Sequence, residues 1–120
     1  RTWFKKGKKD WPYFLGPRQL RKLKLPCQNY NLSYGYLWWL NGKATAMAPG
    51  SQVVFPISLA PNAPADMLMA LGKDDKKIYV VPSLDVVVVR LGDNASGTST
   101  LGPSSFDNEL WGRLKLAMKY

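Results

Sequence analysis

Eight serines, six tyrosines, one cysteine and no histidine bound the chemistry open to this 120-residue chain. Without histidine the commonest general base and the commonest metal ligand are missing. A Ser-His-Asp triad, a Cys-His dyad and a typical zinc site are therefore excluded within the chain. Cys27 follows Pro26 and has no imidazole to activate it, so a catalytic thiol is not expected. A lone cysteine cannot close an internal disulfide either, which leaves the redox compartment unconstrained. Asp74 and Asp75 are adjacent carboxylates in "GKDDKK", and neighbours in so charged a loop are expected to be solvated rather than catalytic. Ser83 and Asp85 lie between two apolar runs and read as turn residues. Trp38 and Trp39 could line a pocket, but adjacent strand residues point to opposite faces, so at most one faces any given site. Large aromatics dominate core burial, and that is the expected role of the pair.

Charge separates one part of the chain from the rest. The formal net charge is +9. Residues 1–25 hold nine basic side chains against Asp10, while the other 95 residues hold eight basic and seven acidic ones. The charge thus belongs to a segment, 1–26, that also carries Trp3, Phe4, Trp11, Tyr13 and Phe14. A solvated arm is the plain reading. Basic and aromatic residues together can also bind a nucleic-acid backbone or an anionic membrane surface. No groove-reading motif accompanies them.

The elements that must position any site follow from the remaining pattern. A short basic helix is expected near 17–25, with Leu20, Leu23 and Leu15 on one side and Pro26 ending it. "YGYLWWL", 34–40, reads as an aromatic strand, and Asn41-Gly42 as the turn after it. "QVVFPIS", 52–58, reads as a short edge strand interrupted by Pro56, and 59–66 as a proline-rich loop. "MLMALG", 67–72, fits a strand or a helical turn. "KIYVVPS" and "DVVVVRLG" predict an antiparallel hairpin, with Val86–Val89 buried on both faces. Residues 93–103 read as a surface loop. From Ser104 a helix is predicted, capped by Ser104 with Asp107 three residues on. Phe106, Leu110, Leu114 and Ala117, with Trp111 and Met118 beside them, form its expected apolar stripe. The expected architecture is α+β, an antiparallel sheet with a packed C-terminal helix. No run of 18 apolar residues is present, and no signal peptide is read.

Taken in order, "YNLSYGYLWWLNGK", "APADMLMALGKDDKKIYVVPSLDVVVVRLGD" and "SSFDNELWGRLKLAM" resemble the C-terminal part of serine β-lactamase-like hydrolases. This is the penicillin-recognising superfamily, in its class C, esterase and 6-aminohexanoate-dimer hydrolase branch. The resemblance spans about residues 28–118. It divides the chain into a basic aromatic extension, 1–26, and a β-lactamase-like segment, 27–120. It implies a partial β-lactamase-like (transpeptidase-like) fold and, for an intact parent, hydrolysis of a β-lactam, ester or amide through an acyl-serine. Members of that family are often periplasmic or secreted, which leaves the localisation of this chain open, and the resemblance implies no cofactor or metal.

The family's third box aligns with Ala70-Leu71-Gly72. Gly72 and the Lys73 backbone amide then become the oxyanion-hole candidates, with Ala70 and Trp38 as pocket wall. A preorganised backbone donor of this kind is commonly worth a few kcal/mol to catalysis. No serine in the chain is followed three residues later by lysine, so the Ser-x-x-Lys nucleophile box is absent. "NYN", 29–31, does not supply the family's Tyr-x-Asn box. The chain alone is expected to be inactive. Its expected partners are a small amide, ester or β-lactam substrate for the parent, the missing catalytic part, or another copy of itself. The alternative is a non-catalytic binding module whose basic arm takes nucleic acid or anionic lipid.

Overall fold

The computed structural model describes residues 2–6, 17–95 and 103–120. Within them, five antiparallel strands form the main sheet. These are β1 (Thr2–Lys6), β2 (Trp39–Leu40), β5 (Leu68–Leu71), β6 (Lys77–Val81) and β7 (Val86–Arg90), in the spatial order β1-β7-β6-β5-β2. A separate two-stranded ribbon joins β3 (Ala46–Met47) to β4 (Val54–Phe55). Helix α1 covers Pro17–Leu23 and helix α2 covers Ser105–Met118. The α+β architecture with an antiparallel sheet and a C-terminal helix is therefore as the sequence predicts.

The hairpin forms because two β-branched runs are separated by a residue set made for a tight reversal. Pro82–Leu84 make a single 3-10 turn, and Asp85 closes it with φ 52°. Asp tolerates this left-handed geometry better than most residues. Asp66 fastens the turn from outside by accepting from the Ser83 amide at 2.8 Å and the Ser83 hydroxyl at 2.7 Å.

Strand alternation then sorts the sheet into two faces. Met69, Tyr79 and Val88 stand in register on one face, with Val81 and Val86 beside them. These residues are buried with Trp39, Trp111 and Leu114 in one core cluster. Ala70, Ile78 and Val89 stand in register on the other face, and there the burial is incomplete: Ile78 is 40% exposed. Val86 and Val88 are buried while Val87 and Val89 are only half-buried. The expectation of a strand buried on both faces is thus met on one side only.

The capping box at α2 is formed as predicted, with the Ser104 amide donating to Asp107 Oδ2 at 2.7 Å. The face that α2 buries differs from the expected stripe. Asp107, Trp111 and Leu114 are buried, whereas Ala117 and Met118 are exposed. Gly112, a weak helix former, is explained by close approach. A Cβ there would stand 3.1 Å from Asn62 Nδ2, and Asn62 donates to the Asn108 carbonyl at 3.2 Å.

The segment 34–40 is a correction. It is not one strand. Tyr34 bridges back to Trp39, the Gly35 amide donates to the Trp38 carbonyl at 2.8 Å, and Leu37 takes φ 62°. The aromatics that suggested a strand instead close a tight reversal, with the Tyr34 and Trp39 rings edge to face at 5.0 Å. Asn41 anchors the chain beyond this reversal. Its buried amide donates to the carbonyls of Ala60 and Pro64, and its Oδ1 accepts from Ser58 and the Ala60 amide. The proline-rich loop is thereby fixed against β2.

The N-terminal segment contributes a strand that the sequence reading does not foresee. The backbone of Thr2–Lys6 pairs along the whole of β7, from Thr2 opposite Arg90 to Lys6 opposite Val86. Trp11, Tyr13 and Phe14 of the basic arm lie outside the described residues.

Candidate functional site

Strand β5 carries the segment singled out by the sequence, and its position in the sheet is specific. Among the described residues β2 pairs only with Leu68 and Met69, so the backbone of Ala70 and Leu71 forms an open edge there. Gly72 follows in extended conformation (φ −101°, ψ 176°), and its amide donates to the Lys76 carbonyl at 2.8 Å. A Cβ at Gly72 would lie 3.1 Å from that same carbonyl oxygen, so the tight strand-to-turn crossing favours glycine. Lys73–Asp75 then make one 3-10 turn that no side chain caps. The Lys73 amide opens that turn, in which Asp74 is left-handed rather than helical (φ 56°, ψ 42°).

Of the two candidate donors, Gly72 is thus engaged in the fold, and Lys73 stands at the uncapped start of the turn. The Lys73 side chain is exposed. Ala70 and Gly72 line a cavity of about 400 Å³ beside the open edge. The tryptophan on its wall is Trp39 rather than Trp38, with Tyr34 and Leu37 next to it. Trp38 is half-buried and does not line this cavity.

Behind this turn lies a buried ionic network, and here the sequence reading needs correction. Asp75 is not solvated as expected; its side chain is fully buried, together with that of Lys77. Lys77 Nζ stands 2.8 Å from Asp107 Oδ2 and 3.2 Å from Asp75 Oδ1, and donates to Ser104 Oγ at 3.1 Å. The Ser104 hydroxyl donates to Asp75 Oδ1 at 2.9 Å. Asp75 Oδ2 accepts from the Ala95 amide at 3.1 Å. The Tyr79 hydroxyl donates to Asp107 Oδ1 at 2.6 Å. Arg90 holds the turn from the other side. It donates to the Asp75 carbonyl at 2.8 Å and to the Asp93 carbonyl at 2.6 Å, and its guanidinium lies 4.8 Å from the Phe106 ring centre.

A buried charge is tolerable only when it is paired and hydrogen-bonded, and Asp75, Lys77 and Asp107 each meet that condition. The arrangement also accounts for the left-handed backbone of Asp74 (φ 56°) and Asp75 (φ 54°). Asp75 must turn its carboxylate inward toward Lys77 while its carbonyl faces Arg90. Burial pushes the Tyr79 hydroxyl well above its ordinary pKa, and the neighbouring Asp107 carboxylate raises it further. Tyr79 is therefore a neutral donor at all ordinary pH values.

Chemically, the network is a fastening. It ties β6, the turn after Gly72 and the start of α2 to one another. Lys77 Nζ is taken up by Asp75, Asp107 and Ser104 Oγ, so its part here is to hold these groups together. The signal for its burial was present in the strand period: Lys77 stands two and four residues before Tyr79 and Val81, on the face that α2 covers.

A second cavity of about 420 Å³ lies between the β3–β4 ribbon, the loop 57–61 and the start of α2. It is lined mainly by apolar residues such as Met47, Phe55 and Leu59. Among the described residues, no group of three or more His, Cys, Asp or Glu side chains could hold a metal ion. Nor is any described helix long and apolar enough to cross a membrane. The chain matches no family model, no curated protein and no solved structure.

Proposed function

We propose that this chain is the C-terminal portion of a β-lactamase-like serine hydrolase, supplying the oxyanion edge of a site whose nucleophile lies outside these 120 residues. The observation that carries the reading is the end of β5. Among the described residues, an open strand edge at Ala70–Leu71 runs into a tight crossing at Gly72 and then the start of a turn at Lys73, beside a cavity of about 400 Å³. A backbone N–H so placed, on a turn clamped from behind by ionic contacts, suits stabilisation of a developing oxyanion without reorganisation. The incompletely covered face bearing Ala70, Ile78 and Val89 suits contact with a further layer of the same hydrolase.

The parent's substrate would be a β-lactam, ester or amide that forms an acyl-serine. The chain alone lacks Ser-x-x-Lys and should be inert toward nitrocefin and p-nitrophenyl esters. Turnover by the isolated chain, abolished by a serine-directed inhibitor, would sink this reading.

A second reading rests on a different observation. Arg18, Arg21, Lys22 and Lys24 are all exposed on and just after α1, a density of cations that suits an anionic partner, either nucleic acid or lipid. Binding through them would weaken steeply with salt, because phosphate contacts release counterions. Undetectable binding to single-stranded RNA, DNA and anionic vesicles at low salt would dispose of it.

A further inference from the structure

The surface around the end of α1 carries two features of opposite kind. The first is charge. No Asp or Glu occurs between Asp10 and Asp66, while Arg18, Arg21, Lys22, Lys24 and Lys43 all fall in that span. Arg18, Arg21, Lys22 and Lys24 are exposed, and among the described residues none of them is in an ion pair. Lys24 and Lys43 line one cavity of about 180 Å³. Asp66 borders the same cavity, but both of its oxygens accept hydrogen bonds from Ser83.

The second feature is apolar. Leu25, just after the helix, is 57% exposed. The chain at Leu23 and Leu25 packs closely on Gly35, where a Cβ would stand 3.2 and 2.7 Å from their carbonyl oxygens. The Gly35 amide donates to the Trp38 carbonyl, so Tyr36 and Leu37 are the two residues at the tip of that reversal. Two-residue reversals ordinarily carry Asn, Asp or Gly. Here both tip residues are bulky, and they stand 56% and 84% exposed. The close approach at Gly35 thus sets an apolar tip beside the cations at the end of α1.

That combination separates two anionic partners. A single-stranded nucleic acid is held by cations and by flat rings on which bases stack, and exposed leucines add little to such contacts. An anionic bilayer uses both features. Its headgroups attract Lys and Arg, and leucine and tyrosine enter the boundary between headgroups and acyl chains.

We propose that the end of α1 and the Tyr36–Leu37 tip form a peripheral docking surface for an anionic lipid bilayer, with the α1 cations at the headgroups and Leu25 and Leu37 entering the acyl boundary. The proposal rests on the second reading above, an anionic partner for α1, and names that partner.

The test uses the full 120-residue chain and sedimentation with vesicles of phosphatidylserine and phosphatidylcholine at a ratio of about 1:3. The chain should sediment with these vesicles and stay in solution with phosphatidylcholine alone. Arg21→Gln combined with Lys22→Gln should weaken partition about tenfold or more. Leu37→Asn should weaken it about fivefold or more. It should do so without lowering the thermal midpoint, since asparagine tolerates the left-handed backbone there (φ 62°). Leu37→Met should keep partition intact. Leu25→Ser, outside the reversal, should show the same kind of loss as Leu37→Asn. Partition unchanged in both Leu37→Asn and Leu25→Ser, equal sedimentation with phosphatidylcholine alone, or binding of single-stranded RNA without binding of the mixed vesicles would each overturn the proposal. The last result would keep an anionic partner for α1 and make it a nucleic acid, whereas binding of neither at low salt would remove the second reading as well.

Discussion

Replacing Lys77 with methionine should destabilise this protein more than almost any other conservative-volume change. The perturbation removes one ammonium group and leaves the stem. In the folded chain that group serves Asp107 at 2.8 Å, Asp75 at 3.2 Å and Ser104 at 3.1 Å, and both carboxylates are buried. Removing one partner of a buried ion pair costs about 3–5 kcal/mol, because the charge left behind stays desolvated. Here two carboxylates stay behind, and the Arg90 guanidinium is engaged by the Asp75 and Asp93 carbonyls. The upper part of that range is therefore expected, against a total stability on the order of 5–15 kcal/mol. Urea unfolding followed by tryptophan fluorescence reads the change, since Trp111 is wholly buried against Tyr79. With a urea slope of about 2 kcal/mol per molar, the midpoint should fall by roughly 2 M. Adding Asp75→Asn to Lys77→Met should recover part of the loss by removing an orphaned charge. A loss under about 1 kcal/mol for Lys77→Met, or a further loss on adding Asp75→Asn, would refute the description of a buried, mutually dependent triad.

Three other outcomes rest on single contacts. The raised pKa of Tyr79 means that its neutral form is favoured in the fold, so this stabilisation is complete below pH 10, the ordinary tyrosine value, and is lost as pH rises beyond it. Unfolding free energy should then fall by about 1.4 kcal/mol per pH unit from this group. Up to the unfolding pH, Tyr79→Phe should show the same absorbance change at 295 nm as the unaltered chain; a smaller change would mean that Tyr79 titrates normally. Gly42→Ala should be severely destabilising, about 2–4 kcal/mol, because φ is +69° and the new Cβ would lie 2.5 Å from the Ala65 carbonyl oxygen; a midpoint within error of the unaltered chain would contradict that geometry. Ser104→Ala removes both the helix cap and the hydroxyl donor to Asp75, and should cost about 1–3 kcal/mol. Ser105→Ala, one position on, serves as the neutral control, and equal effects of the two would show that the cap is not special.

Much of this fold is legible because local chemistry and global packing agree. The hairpin of β6 and β7 follows from β-branched runs flanking Pro82–Asp85, and the start of α2 follows from the Ser104–Asp107 box. Where they disagree, the reading from composition fails. Tyr34–Leu40 has strong β propensity, yet ring packing of Tyr34 on Trp39 and the close approach at Gly35 turn it back on itself. A Cβ at Gly35 would stand 2.7 Å from the Leu25 carbonyl oxygen, a tertiary constraint no local pattern carries. Asp75 looks solvated in a run of four charges, and Lys77 stands in the same run. Strand alternation from Tyr79 and Val81 does place Lys77 inward, but the partners that make its burial tolerable lie about thirty residues on, at Ser104 and Asp107. The pairing of Thr2–Lys6 with β7 was hidden for a related reason. Lysines such as Lys5 and Lys6 suit an edge strand as well as a solvated arm, and composition alone favours the arm.

On the hydrolase reading, the Lys73 amide is one half of a catalytic site whose nucleophile is encoded outside this chain. The direct measurement is to read the frame ahead of Arg1, express the joined polypeptide, and compare its turnover of nitrocefin and p-nitrophenyl butyrate with that of a Lys73→Pro variant. Proline removes the amide donor along with the exposed lysine side chain, for which Lys73→Ala is the control, and the extended Gly72 before it accepts proline. The expected result is a Ser-x-x-Lys in the upstream frame, turnover by the joined chain, and a fall in kcat of about 10²–10³ in the variant. Turnover by the 120 residues alone, or full activity in Lys73→Pro, would contradict it.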